Sequence, residues 1–271
     1  MFGDYIMKIG FIGCGNMAGA IIDGIIKNEI IQEKDINIFD IFYPAVEKVS
    51  AKHGVTLCED AKEVVLSSDA VILAVKPNII ASVLDDINTA LEESNTLIIS
   101  IAAGKTIDFI RNSLSHENRI IRVMPNINAK VGEAISAYTA NKNATKDDKE
   151  LCEKLFGGVG QVMYLEEALF PLFGVIGGCS PAFTYMFIDS LARAGVKNGM
   201  TKETALFVAA QAVLGSAKMV LESGEHPWEL VDKVCSPGGT TIEGVSSLQN
   251  DGFEKAILNA VNRAVEKDKK L

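Results

Sequence analysis

Two short stretches carry residues whose types and spacing could do chemistry. The first, Gly13-Cys14-Gly15-Asn16-Met17-Ala18, has the pattern G-x-G-x-x-A. Set between a strand and a helix, it suits the pyrophosphate of a dinucleotide. Gly13 permits a tight turn, Gly15 lets the backbone approach the phosphates, and Ala18 keeps helix and strand close. Asn16 and Met17 open the helix whose positive dipole end would face that charge. The second stretch, Ser236-Pro237-Gly238-Gly239-Thr240-Thr241, precedes the apolar positions Ile242, Val245 and Leu248 of a helical pattern. Glycines that expose N–H groups at a helix start, followed by two hydroxyls, make an anchor for a small carboxylate. The alternative is a bendable loop that caps its helix, with Thr241 contributing to the cap.

A dinucleotide fingerprint also calls for an acid about twenty residues on, at the end of the second strand. Asp40 stands there, closing Ile-Asn-Ile-Phe-Asp. It would accept hydrogen bonds from the adenosine ribose hydroxyls, or else shape a turn. Ile41, Phe42 and Tyr43 follow without an arginine, so a 2'-phosphate would meet a carboxylate and no cation. NAD(H) is therefore the favoured cofactor and NADP(H) the alternative.

Elements that could position these groups alternate along the first half. Runs rich in β-branched residues at 8–12, 36–39, 70–75, 96–101 and 120–124 read as buried parallel strands. Helical patterns such as Met17, Ile21, Ile22, Ile25 lie between them, which means βαβ units and a doubly wound sheet. A last strand pattern at 160–165 precedes a change of texture, and beyond Glu167 only helical patterns remain. The expected fold class is α/β: a Rossmann-type dinucleotide-binding domain over residues 1–166 and an all-α domain over 167–271. Ser180-Pro181 reads as N-cap and first-turn proline of a helix ending near Gly195. Thr201 caps the next, which runs to about Gly224; Pro227 begins another, and the last follows Thr241. Residues 205–210 are apolar on more than one helix face, which predicts burial against a second copy and hence a homodimer.

Bulk properties exclude several classes. The 271 residues carry a formal net charge of -9 with scattered basic residues, so no cationic face for nucleic acid is expected. The lysines at 267–270 read as a solvated helix end. Five cysteines without a CxxC pair and three separated histidines predict neither a disulfide framework nor a metal site, and suit a reducing cytoplasm. No apolar run of membrane-spanning length is found, so no membrane partner is expected. Asp4 argues against a secretory signal. Met7 would serve as a start, making residues 1–6 a short extension.

Taken in order, GFIGCGNMAGAI, AVKPNII, SIAAGKTI, RVMPN, AGVKNGMTKETA and SPGGTTIEGV make a sequence that resembles the pyrroline-5-carboxylate reductases over nearly its whole length. The resemblance implies a dimerising C-terminal domain, with dimers gathered into rings. It implies reduction of a cyclic imino acid, 1-pyrroline-5-carboxylate, to L-proline by NAD(P)H, the last step of proline biosynthesis. By the same resemblance Ala74, Val75, Lys76 and Pro77 lie along the cofactor and Ala102 and Ala103 by the nicotinamide. Gly238, Gly239, Thr240 and Thr241 would surround the substrate together with Glu167, and Ser236 opens that anchor. Lys76 either touches cofactor or points to water. Asn126 either donates to substrate or cofactor or stabilises its turn. Glu167 either binds the ring nitrogen or caps the next helix. Departures fall at Pro171, where the family has an aspartate, at Ile127-Asn128, where it has Thr-Pro, and at residues 177–183.

An imine can enter already protonated, and hydride then neutralises it, so no lysine or histidine acid need be stationed at the site. Thr241 is the residue expected to reach the ring nitrogen. A β-hydroxyacid dehydrogenase would want a lysine with an asparagine four residues later, and PAFTYMFIDSLARAG has neither. A non-catalytic cofactor-binding relative, or one acting on another cyclic imine, is the remaining alternative; residues 177–180 favour it and the intact SPGGTT opposes it.

Overall fold

Isoleucine- and valine-rich runs without charges form strands covered on both faces, as their sequences predict. The computed structural model describes residues 7–268. Residues 1–6, the expected extension, and residues 269–271, with the last two lysines of the basic end, lie outside the described residues. The strands are β1 (Ile9–Ile12), β2 (Ile36–Phe39), β3 (Thr56–Leu57), β4 (Ala70–Leu73), β5 (Leu97–Ser100), β6 (Ile120–Met124), β7 (Ala134–Ala140) and β8 (Gly160–Tyr164). They form one sheet in the order β3-β2-β1-β4-β5-β6-β7-β8.

Strand β1 pairs in parallel with β2 on one side and β4 on the other. The chain therefore reverses its direction of travel across the sheet at β1. Loops leaving β1 and β4 at that point diverge to opposite faces and leave a crevice, the usual ligand site of such sheets. Helices α1 (Asn16–Lys27), α2 (Tyr43–His53), α3 (Ala61–Leu66), α4 (Ile80–Glu93), α5 (Ile107–Asn112) and α6 (Lys146–Gly157) fill the connections. Ile21, Ile25, Val46 and Phe156 from α1, α2 and α6 pack with Phe11 and Ile72 on one face. Val64, Leu84, Ile87 and Ile110 from α3, α4 and α5 pack with Val71 and Leu73 on the other. Neighbours in β4 thus face opposite layers, the period-2 rule of a strand.

Two strands escape the sequence reading. β3 has only two residues. β7 runs antiparallel to β6, against the all-parallel expectation. Its connection is a single 3-10 segment, Ile127–Val131, ended by Gly132 at φ 77. So short a link cannot cross over the sheet, and the chain can only double back.

Two compact units divide the chain, one ending at Gly178 and the other beginning at Cys179. The first closes with α7 (Phe170–Phe173) and all but the last residue of a π-helical turn, Gly174–Cys179, which leads directly into α8 (Ser180–Lys197). Ser180 is thus not the free helix start expected of it: the turn before it is already helical, and Cys179 at φ -91, ψ -30 occupies the cap position. In the second unit α9 (Lys202–Ser223) is capped by Thr201, which accepts from Thr204 N at 3.2 Å. Then come α10 (Pro227–Val234), α11 (Thr240–Asn250) and α12 (Phe253–Asp268). The last two were expected as one helix; Gly252 at φ 77 separates them.

The buried cluster of this unit is Ala192, Ala205 and Ala209. Met186 and Phe207 are each 71% exposed and Leu221 is 82% exposed. The expectation about membrane-spanning runs also needs correcting. Glu167–Lys197 (31 residues) and Lys202–Ser223 (22 residues) are long and apolar enough to cross a membrane.

Candidate active site

The crevice is built first by the fingerprint loop. Gly13 takes φ +100, and a Cβ there would stand 2.7 Å from the Ala74 carbonyl oxygen, so no other residue fits. Its N–H donates to the Phe39 carbonyl at 2.8 Å. Cys14 N donates to Asp40 Oδ2 at 2.7 Å, and Phe42 N donates to Asp40 Oδ1 at 2.8 Å. Asp40 thereby ties the fingerprint loop to the loop carrying Ile41, Phe42 and Tyr43. Burial, with the Asp40 charge adding to it, pushes the Cys14 thiol up to about 12, so no thiolate competes with an anion here.

Gly15 is the N-cap of α1, with no side-chain cap and no acid in the first turn of the helix. Its N-terminal N–H groups are left for an outside acceptor. A Cβ at Gly15 would meet nothing within 4 Å.

The cleft beside this loop has a volume of about 830 Å³. Gly13, Gly15, Asn16, Met17 and Asp40 line it, as do Ala74, Val75, Lys76, Pro77, Ala102 and Ala103. Ala18 does not; it is 1% exposed and packs in the core beneath. Ile41, Phe42, Arg122, Met124 and Ile127 also line the cleft, and the sequence reading assigned none of them to the cofactor.

Arg122 could have been found. It is a lone cation in the apolar strand IIRVM, and a buried charge demands a partner. Its side chain is 6% exposed and donates through Nη1 to Glu167 Oε1 at 2.9 Å. Its guanidinium also lies 4.5 Å from the centroid of the Phe170 ring. Glu167 Oε1 accepts from Ile107 N as well, at 2.9 Å. Glu167 therefore serves the start of α5 rather than the helix that follows it. Asn126 is buried, donating from Nδ2 to the Gly177 carbonyl and accepting at Oδ1 from Ile135 N. Neither Glu167 nor Asn126 is among the residues lining the cleft.

In the second unit, Ser236 to Gly239 form a tight turn closed by Gly239 N donating to Ser236 O at 3.0 Å. Pro237 and Gly238 take its central positions, with Gly238 at φ +67, as a type II turn requires. A Cβ on Gly239 would fall 2.4 Å from Ser236 Oγ. Gly239 is the N-cap of α11 and no side chain caps this helix. The expected capping role of Thr241 is thus not found: it lies inside the first turn, where its hydroxyl is past the cap position. Thr240 and Thr241 are exposed.

These features fit a dinucleotide. Uncapped N–H groups, a glycine with open space before it and an acid fixed at the end of β2 are what its pyrophosphate and ribose require. Asn16, Met17, Lys76 and Ala102 would stand along it.

Residues 167–271 match the family model described as pyrroline-5-carboxylate reductase dimerisation. Residues 8–104 match the model described as NADP oxidoreductase, coenzyme F420-dependent. A pyrroline-5-carboxylate reductase of Methanosarcina acetivorans is 42% identical over 264 residues, covering 97% of each chain. One from Escherichia coli is 43% identical over 97% of this chain and 98% of its own. Among solved structures, the Coxiella burnetii pyrroline-5-carboxylate reductase superposes with a TM-score of 0.93 at 32% identity, covering 98% of both chains. The Plasmodium falciparum pyrroline carboxylate reductase with NADP bound gives 0.85 at 34% identity, covering 97% of both.

Proposed function

This chain belongs to the pyrroline-5-carboxylate reductase family, and from that premise we propose that it reduces 1-pyrroline-5-carboxylate to L-proline, the last step of proline biosynthesis. It does so as an NAD(P)-dependent oxidoreductase. One observation carries the reading: the similarity extends over 97% of the chain, so it takes in both the fingerprint stretch and the SPGGTT stretch. Proline formation by the purified protein from pyrroline-5-carboxylate and NADH or NADPH tests it. A folded, cofactor-binding protein that makes no proline would instead be a binding protein.

When bound, the dinucleotide supplies the hydride. The chain's own residues hold and orient. Gly13 and Gly15 accommodate the pyrophosphate, Asp40 the ribose, and Ala74 to Pro77 with Ala102 and Ala103 the remaining length. Ser236, Gly238 and Thr240 grip the substrate carboxylate with N–H and hydroxyl donors at the start of α11, and Gly239, whose own N–H closes the turn on Ser236 O, lets it come close. Thr241 contributes its hydroxyl to the ring nitrogen. Glu167, whose side chain stays 30% exposed, offers its second oxygen to the protonated imine.

NADH is the preferred cofactor in this reading. The Asp40 carboxylate is held in place by two N–H donors, and the cations lining the cleft are Lys76 and the already paired Arg122. A carboxylate facing a phosphate charge costs about 1 kcal/mol at contact in water, about fivefold in kcat/KM. Steady-state kinetics should give the higher kcat/KM with NADH; a clear NADPH preference would remove Asp40 as the discriminator.

A dimerisation domain is present. The exposed apolar side chains of α8 and α9 are covered by a second copy of the chain rather than by lipid, and dimers assemble further into rings. Sedimentation velocity at micromolar concentration should find no monomer, and Phe207→Glu should release one. The location is cytoplasmic, in keeping with five unpaired cysteines.

A further inference from the structure

Pro181 brings no N–H to the first turn of α8. No bond from that position can reach the Gly177 carbonyl four residues back, or the Ile176 carbonyl five back. Gly177 is buried, and a buried carbonyl needs a donor. The donor comes from 51 residues away: Asn126 Nδ2 reaches Gly177 O at 2.8 Å. Asn126 is itself 6% exposed, and its Oδ1 accepts from Ile135 N at 3.4 Å. Both ends of its amide are committed to backbone.

The π-helical turn lies flush against the same region. A Cβ on Gly174 would fall 3.2 Å from Met124 Sδ, and one on Gly177 would fall 3.3 Å from Ile135 Cγ2. Met124, Pro125 and Ile127 line the cleft. Strand β5 pairs Ser100 with Arg122, so Met124 stands at the level of Ala102, which lines the cleft too.

We propose that Asn126 is a positioning residue: by holding the Gly177 carbonyl it seats the π-helical turn behind Met124 and fixes the cleft wall beside Ala102. It acts through backbone and touches neither substrate nor cofactor. A π-helical turn is a rare departure from the α-helix that recurs at functional sites, and this one has an outside hold in Asn126.

The test uses the full chain and two readouts, only one of which rests on the reductase reading. In the protein without cofactor, Asn126→Ala should raise hydrogen exchange of the amides in residues 174–182 by about tenfold. In turnover it should lower kcat by about tenfold, with NADH affinity, followed by nicotinamide fluorescence, within about twofold of wild type. Pro181→Ala added to Asn126→Ala supplies a backbone N–H, and should return both exchange and kcat at least about threefold toward wild type. A direct substrate contact would gain nothing from a change at 181. Should the alanine variant fail to fold, Asn126→Asp keeps the volume while removing the donor. Wild-type exchange in the Asn126 variant overturns the proposal, as does a loss that Pro181→Ala does not recover. If wild type makes no proline, the reductase reading fails and the exchange arm still decides.

Discussion

Gly15→Val is expected to abolish dinucleotide binding and leave a folded protein. Its backbone, at φ -72 and ψ -175, is open to any residue, and a Cβ there meets no atom within 4 Å. The valine therefore strains nothing inside the protein. Its methyl groups stand instead in the cleft, over the uncapped N–H groups of α1. Loss of that approach should weaken NADH binding by more than about a hundredfold, about 2.7 kcal/mol. Valine is a poorer N-cap than glycine, so a stability loss of about 1 kcal/mol accompanies it. Titration of NADH fluorescence beside a melting curve separates the two effects. Near wild-type affinity would remove this loop from the cofactor site.

The second large effect is expected from Thr241→Ala. A hydrogen bond that strengthens as the ring nitrogen changes charge is worth about 1.5–4 kcal/mol, so turnover of pyrroline-5-carboxylate should fall roughly tenfold to a thousandfold. The fold gives this experiment a clean control. Gly239 caps α11 without help from a side chain, and Thr241 is exposed within the first turn. Alanine there should move stability by no more than about 0.5 kcal/mol. NADH affinity should be unchanged, because the fingerprint loop belongs to the other compact unit. Unchanged kcat and KM in the folded variant would take Thr241 out of the mechanism.

What could be read from the sequence was what short stretches encode by themselves. The strands β1 and β4 are unbroken apolar runs, β2, β5 and β6 are such runs with one polar or charged residue each, and G-x-G-x-x-A sits in sequence beside the strand and helix it serves. β7 could not be read in the same way. Its residues AISAYTA mix small and polar types, and Ser136 and Thr139 are buried there with no charge or periodicity to mark it. The π-helical turn was hidden by Ser180-Pro181, which on its own terms is a sound helix start. What overrules that signal is a partner 51 positions earlier, and the ion pair of Arg122 with Glu167 spans 45. A lone cation such as Arg122 tells that a partner is needed, but at such separations no local pattern tells which residue it is. The same holds for Asp40: its place at the end of β2 was foreseeable, its grip on Cys14 N was not.

The sparse interior of the second unit bears on how the protein holds together. Ala192, Ala205 and Ala209 are small, and together they keep little apolar surface from water. In the homodimer proposed above, side chains the size of Phe207 and Leu221, exposed in the single chain, find their cover in the second copy. Folding of this unit and encounter between chains are then one equilibrium rather than two successive steps, and mass action enters the stability itself. Dilution does not merely separate finished subunits. It withdraws the solvent-free interior on which α8 and α9 depend, so the abundance of the chain becomes one of the determinants of its own persistence.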